Sequence, residues 1–203
     1  MAKVHPGLPS SASSAACSSC SEGRESYTVW MKSLVFNGNG FTVYDSHGNL
    51  VYRIDNYDSR CRSQVFLMDL KGNVLCTLLR KKLSILEHWS GYEGEEVKNH
   101  KPWFQVKKIR NVFSQGSQFS CKVTMGGERS HEASCIRIQG SIEKSEFQII
   151  NGSGFIAAEV KRKKVSKGIM LGNDVLRLEV EPQIDQSLIM ALVVVQGLIS
   201  HKI

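Results

Sequence analysis

The densest concentration of chemistry-bearing side chains in this chain is cationic. Lys161-Arg162-Lys163-Lys164, with Lys167, places five positive charges within seven residues. Arg80-Lys81-Lys82 forms a second cluster, and Lys107, Lys108 and Arg110 lie close in sequence to the aromatic pair Trp103-Phe104. Lysine offers a point charge and arginine a fork of N–H donors, and both suit phosphate oxygens. Besides plain solvation of an outer surface, two uses compete. One is the binding of anionic, phosphorylated lipid headgroups such as phosphoinositides, with Lys161–Lys164 and Lys167 as the main site and Arg80–Lys82 as a second contributor. The other is attraction of a nucleic-acid backbone, with Trp89, Trp103 and Phe104 stacking bases. The net charge of +7 favours acidic partners of either kind. No helix-turn-helix, zinc-finger or RNP pattern supports base readout, so nucleic acid is the weaker expectation. A protein-binding scaffold, the third class, leaves no residue-level signature.

Catalytic and metal chemistry find little support. The six histidines (His5, His47, His88, His100, His131, His201) are read as turn, polar-linker or terminal residues, with no HExxH and no nucleophile elbow among them. Glycines punctuate turns and form neither a dinucleotide fingerprint nor a phosphate-binding loop. Cys17-Ser-Ser-Cys20 has metal-knuckle spacing, but no second Cys or His pair follows at zinc-site distance. The Asp45-Ser-His-Gly48-Asn49 segment lacks the alternating ligands and closing Glu of a calcium loop. Asn151-Gly-Ser153 is a formal glycosylation sequon that a chain without a signal peptide leaves unused. The expectation is a non-enzymatic binding module without cofactor or metal.

The elements that must position these cations read as a β-meander. From Tyr27 onward the segments are short, rich in β-branched and aromatic residues, and separated by Gly-Asn or similar turns. Val43-Tyr-Asp45-Ser-His-Gly48-Asn49-Leu-Val-Tyr-Arg53 reads strand, turn, strand, and Leu67-Met-Asp69-Leu-Lys-Gly72-Asn73-Val-Leu-Cys-Thr77 repeats it 24 residues on. Ile149-Ile-Asn151-Gly-Ser-Gly154-Phe-Ile-Ala-Ala158 is a looser third copy. Asp opens each of the first two turns by accepting from backbone amides, and glycine tolerates positive φ. Further strands are expected at Thr28–Leu34, Leu83–His88, Trp103–Ile109, Phe119–Met125, Ser134–Ile138 and Val175–Val180, about twelve in all. Alternation puts Lys161 and Lys163 on one face and Arg162 and Lys164 on the other. The second pair must then tilt to the barrel end or find partners there.

Leu188-Ile-Met-Ala-Leu-Val-Val-Val195 is eight apolar residues in a row, followed after Gln196-Gly197 by Leu198-Ile199. A helix apolar on every side must be enclosed on every side. The segment is too short for a bilayer span, which takes roughly 20 residues. Asp185 is a suitable N-cap after Pro182 ends the last strand, and a sheet closed around Leu188–Ile199 supplies the enclosure. The fold expected is mainly β, a closed antiparallel barrel around a hydrophobic C-terminal helix. Residues 1–25 are read as a disordered Ser/Ala-rich tail and 26–203 as one domain. Without a signal-peptide core, the expected location is cytoplasmic, peripheral at the plasma membrane, or nuclear, and not secreted; cysteines such as Cys61, Cys76, Cys121 and Cys135 are then reduced thiols.

Several phrases occur together in order: Val29-Trp-Met-Lys-Ser-Leu34, Asn39-Gly-Phe-Thr-Val-Tyr-Asp45, Gly48-Asn-Leu-Val-Tyr-Arg53, Arg80-Lys-Lys-Leu-Ser84, Ala158-Glu-Val-Lys-Arg-Lys163, Gly172-Asn-Asp-Val175 and Met190-Ala-Leu-Val-Val194. In these the chain resembles the plant LURP-one-related proteins from about Val4 to Ile199. The resemblance implies the tubby-like fold, a twelve-stranded antiparallel barrel around a central C-terminal helix, with phospholipid scramblases and tubby domains as distant relatives. It also implies a link to plant defence through pathogen-responsive expression, and phosphoinositide binding by analogy with tubby domains. One departure is Pro182-Gln183-Ile-Asp185, where Pro-Gly is expected before the acidic residue.

Overall fold

A computed structural model describes residues 23–31, 40–55, 64–81, 88–97, 100–109, 118–126, 135–164 and 171–200. Twelve strands precede one helix: β1 (Glu25–Trp30), β2 (Phe41–Tyr44), β3 (Leu50–Asp55), β4 (Gln64–Met68), β5 (Val74–Arg80), β6 (His88–Glu93), β7 (Phe104–Ile109), β8 (Gln118–Met125), β9 (Cys135–Ser141), β10 (Glu146–Ile150), β11 (Ile156–Arg162), β12 (Val175–Val180) and α1 (Gln186–Ile199). Each strand pairs antiparallel with the next, and β1 pairs with β12 to close the barrel. Inward positions alternate with outward ones: Phe119, Cys121 and Val123 of β8 are buried, whereas Lys122 and Thr124 are exposed. Closure leaves no unpaired sheet edge and a lumen that side chains or a helix must fill.

The helix fills it. Its residues Ile189–Gly197 and Ile199 are all buried, among them Leu192, Val193, Val194 and Val195 at 0% exposure. Asp185 caps it by accepting from the Leu188 backbone N–H at 3.1 Å, and the Ser200 N–H donates to the Gln196 carbonyl at the other end. Among the described residues no helix is long and apolar enough to cross a membrane.

The three repeated turns share one construction. Asp45, Asp69 and Asn151 each accept from the backbone N–H four residues on, at 2.8, 2.9 and 2.9 Å. Gly48, Gly72 and Gly154 follow at φ +85°, +84° and +84°, a region glycine enters without steric cost. Each hairpin also slips register beside the turn, at Val43/Tyr44, Leu67/Met68 and Ile149/Ile150. This is the three-residue hairpin, a type I turn followed by a bulge with its left-handed residue. The third copy, the loosest in sequence, has the same geometry.

Several expected spans shift. β1 begins at Glu25, and the expected continuation to Leu34 runs into residues outside those described. Of the strand expected at Leu83–His88, residues 83–87 lie outside the described residues, and β6 begins where that span ends. His88 is therefore a strand residue, 8% exposed, and not a linker histidine. Ser90 and Gly91, poor strand formers, mask the run of β6 beyond His88. Gly91 is small for a packing reason: a Cβ there would lie 2.4 Å from the Phe104 ring. Residues 1–22, with Cys17 and Cys20, and Cys61 fall outside the described residues.

Candidate functional site

The Lys161 cluster lies where β11 runs out beside β12. Glu159, Lys161 and Lys163 point outward, while Ala158 and Val160 point into the core. Arg162 is on the inward side at the barrel end, where one guanidinium nitrogen donates to the Leu171 carbonyl at 3.2 Å. The expected alternation is observed for Lys161, Arg162 and Lys163, and Arg162 finds its partner in the segment entering β12; Lys164, past the end of β11, is exposed and lines the same groove as Lys161 and Lys163. The Lys163 backbone holds that segment, donating to the Val175 carbonyl and accepting from the Leu171 N–H, both at 3.0 Å.

Cross-strand pairing continues the outer surface from β11 to β1. Lys161 stands opposite Arg177, Arg177 opposite Thr28, and Thr28 opposite Tyr44 at the end of β2. The β2–β3 turn thereby stands over the same surface. The result is a groove of about 680 Å³ lined by Lys161–Lys164 and Arg177 on one side and the Asp45–Gly48 turn on the other. Thr28, Glu146, Glu159 and Glu179 also line it.

Charge in the groove is partly neutralised from within. Lys161 Nζ lies 2.6 Å from Glu159 Oε2, and Gln148 donates to Glu159 Oε1 at 3.0 Å. The hydrogen bond from Lys161, with help from Gln148, lowers the pKa of Glu159 below the ordinary carboxylate range. Arg177 pairs with Glu179 at 2.6 Å, and Arg24 bridges Glu179 and Glu181 at 3.1 and 2.9 Å. These exposed pairs contribute little stability, but they fix the orientation of the carboxylates. Lys163 Nζ instead donates to Thr28 Oγ1 at 2.7 Å and makes no ion pair among the described residues. Lys164 is exposed, with no ion pair among the described residues.

The sequence-predicted site residues divide. Lys161, Arg162, Lys163 and Lys164 meet in the groove; Lys167 and Lys82 lie outside the described residues. Arg80 and Lys81 sit at the end of β5 and do not line the groove. The residues missed are Arg177, Glu159, Glu179, Thr28 and the Asp45–Gly48 turn. Arg177 and Glu179 alternate with buried Leu176, Leu178 and Val180, which marks an outward face; which strand would lie beside it is a matter of closure. The aromatic platform expected for nucleic acid is corrected. Trp89 is 3% exposed, Phe104 is fully buried, and Trp103 packs edge-on against Phe104 with ring centroids 5.5 Å apart. Trp89 and Phe104 are core, because inward alternation on β6 and β7 takes them there, and Trp103, half-buried just before β7, packs against them.

Among the described residues no cluster of His, Cys, Asp and Glu could hold a metal ion. Burial pushes the Cys76 thiol up to about 12, so it stays protonated and unreactive. The groove thus presents two ammonium groups with no ion pair among the described residues, beside the paired carboxylates Glu159 and Glu179.

Comparison with known proteins agrees with the architecture and the phrases quoted above. The family model described as LURP-one-related matches residues 25–196. The chain is 42% identical to Protein LURP-one-related 11 of Arabidopsis thaliana, over 98% of this chain and 89% of that one. It is 44% identical to LURP-one-related 3 of the same organism, over 89% and 82%. An Arabidopsis thaliana protein solved by X-ray crystallography superposes with a TM-score of 0.64 at 20% identity, covering 87% of this chain and 91% of that one; this likeness speaks for the fold alone. On the family match and these identities, the chain belongs to the LURP-one-related family.

Proposed function

We propose that this protein is a non-enzymatic binding module whose groove takes a phosphorylated, anionic lipid headgroup of the phosphoinositide kind. The observation that carries this reading is the convergence of Lys161–Lys164 and Arg177 on one groove, with the Lys163 and Lys164 ammonium groups free of any carboxylate partner among the described residues. Lys161 and Arg177 are held by Glu159 and Glu179. The anion accordingly meets Lys163 and Lys164 first, and Glu159 and Glu179 tune selectivity by repelling anions that reach deeper. The resemblance to tubby domains supports the same ligand class by analogy of fold. A protein working this way acts peripherally at a membrane surface. Nucleic acid is the weaker reading, since Trp89 and Phe104 offer no face for stacking.

Co-sedimentation with liposomes, with and without phosphoinositide, tests the proposal. Each cation near an anionic surface contributes about 1 kcal/mol, so a Lys163→Gln/Lys164→Gln double variant should bind roughly 30-fold more weakly while melting like the parent. Arg162 is left intact because it holds the Leu171 carbonyl. Binding should also fall as salt rises. Indifference of the unaltered protein to phosphoinositide at low salt, or wild-type binding by the double variant, refutes the proposal.

A further inference from the structure

A second cationic feature lies on the outer face of β7, β8 and β9, and none of its three cations lines the groove. Lys107, Lys122 and Arg137 stand opposite one another in successive registers, and all three are exposed. The next position in the row, on β6, is His88. Lys81 reaches this end through its backbone N–H, which donates to the His88 carbonyl at 2.9 Å. Burial first, then the charges of Lys81 and Lys107, lower the pKa of the His88 imidazole.

Directly opposed side chains on neighbouring strands have Cβ atoms about 4.5–5.5 Å apart, and like charges so placed repel. Across these three strands no described residue offsets this. The flanking rows read Gln105, Thr124, Cys135 on one side and Ile109, Ser120, Gln139 on the other, with no carboxylate in either across these strands. Lys107, Lys122 and Arg137 make no ion pair among the described residues. Around the groove, by contrast, Lys161, Arg177 and Arg24 each hold a carboxylate. Beyond Arg137 the row continues through Ile150 on β10 to Ile156 on β11. Ile156 is followed back along the chain by Phe155, 53% exposed. Repelling charges in a line, ending in exposed apolar side chains, form an amphipathic strip that lacks its counterpart.

We propose that this strip is a docking surface for an extended acidic polypeptide segment. Its carboxylates pair with Lys107, Lys122 and Arg137, and an apolar side chain beyond them packs on Phe155 and Ile156. Curvature argues against a flat membrane as occupant. Twelve strands share one full turn of the barrel, about 30° each, so a plane resting on Arg137 tilts away from Lys107. A flexible chain follows the curve. Against nucleic acid, no exposed aromatic ring among the described residues lies between the cations, so successive bases have no platform. Gln105, Thr124 and Gln139 beside the row instead offer donors and acceptors to a peptide backbone.

The test is fluorescence anisotropy on the full chain at low salt, with a labelled poly-glutamate peptide carrying or lacking a terminal Phe-Leu. Both should bind, the capped one more tightly. Changing Lys107, Lys122 and Arg137 together to Gln should weaken binding roughly tenfold to hundredfold. The same variant should melt no lower than the parent, since it removes like-charge repulsion. Phe155→Ser should abolish the advantage of the cap and leave uncapped binding unchanged. Lys163→Gln/Lys164→Gln should keep peptide binding, which separates this surface from the groove. The proposal is overturned if the unaltered protein ignores both peptides, or if the triple variant binds them as well as the parent. It is likewise overturned if poly-uridine RNA or phosphatidylserine vesicles, and not the peptides, lose binding in that variant.

Discussion

Single residues carry consequences out of proportion to their place in any motif. Gln183 sits at φ +61°, in the left-handed region, at the position where the family resemblance leads one to expect glycine. A side chain with a Cβ held there costs about 1–2 kcal/mol, and glycine gives part of that back through the greater freedom of the unfolded chain. Gln183→Gly should therefore stabilise the protein by about 0.5–1 kcal/mol. Urea denaturation reads the change as a higher midpoint at unchanged slope; a lower midpoint would show that the Gln183 side chain makes a contact worth more than the strain. His88 teaches a related lesson. In sequence it ends the strand expected at Leu83–His88, but the observed strand begins there and runs through Trp89, Ser90 and Gly91, set by pairing with Cys76–Arg80, and Gly91 faces the Phe104 ring. No local pattern announces a glycine that makes room for a ring thirteen residues on.

At the scale of elements, the hairpins were the most readable part of the chain, because each is decided within eleven residues. Asp at the turn entrance, glycine at the left-handed position and β-branched flanks leave one economical solution. The same chemistry makes the turns sensitive to acid. Hydrogen bonds from Asn49 and Asn73 lower the pKa values of the Asp45 and Asp69 carboxyls below their ordinary value. As pH falls below about 4, near the ordinary aspartate value, the unfolded chain takes up these protons before the folded one does. The stability supplied by the two carboxylates is thus fully present above that value and is lost as pH falls through their lower folded values. Thermal melts between pH 6 and pH 2 should show a steeper acid limb for the parent than for an Asp45→Asn/Asp69→Asn variant, which has no proton to take up. Equal limbs would mean that the acid sensitivity arises elsewhere, for instance at Glu159. The β11–β12–β1 surface was half readable. Alternation predicted that Arg162 turns away from Lys161 and Lys163, but not that Lys164 joins those two in the groove, and the pairing of Lys161 with Arg177 and of Arg177 with Thr28 depends on barrel closure between chain ends.

The whole molecule follows from a mutual requirement between the helix and the sheet. A 14-residue helix, apolar on every side, spans only ~21 Å, well short of the ~30 Å of a bilayer core. It cannot remain solvated, and twelve closed strands cannot leave their lumen empty. Each is the other's missing core, which is why an apolar run and a strand count were enough to anticipate the architecture. The outer surface is different: the groove and the cationic row are set by register, and register is invisible until the strands are paired. Core and surface should therefore respond separately to substitution. Val194 is fully buried within the barrel. Truncation to Ala removes two methyl groups and should cost about 1–3 kcal/mol, leaving a folded, less stable protein. Val194→Asp instead places a charge where no cation or water can reach it, at several kcal/mol. Against a typical margin of 5–15 kcal/mol, and with the packing loss added, that should abolish the cooperative transition. Circular dichroism melts of both variants check the pair. A soluble Val194→Asp protein that melts as sharply as Val194→Ala would mean that the barrel stands without its helix, and the helix would then need a role other than core.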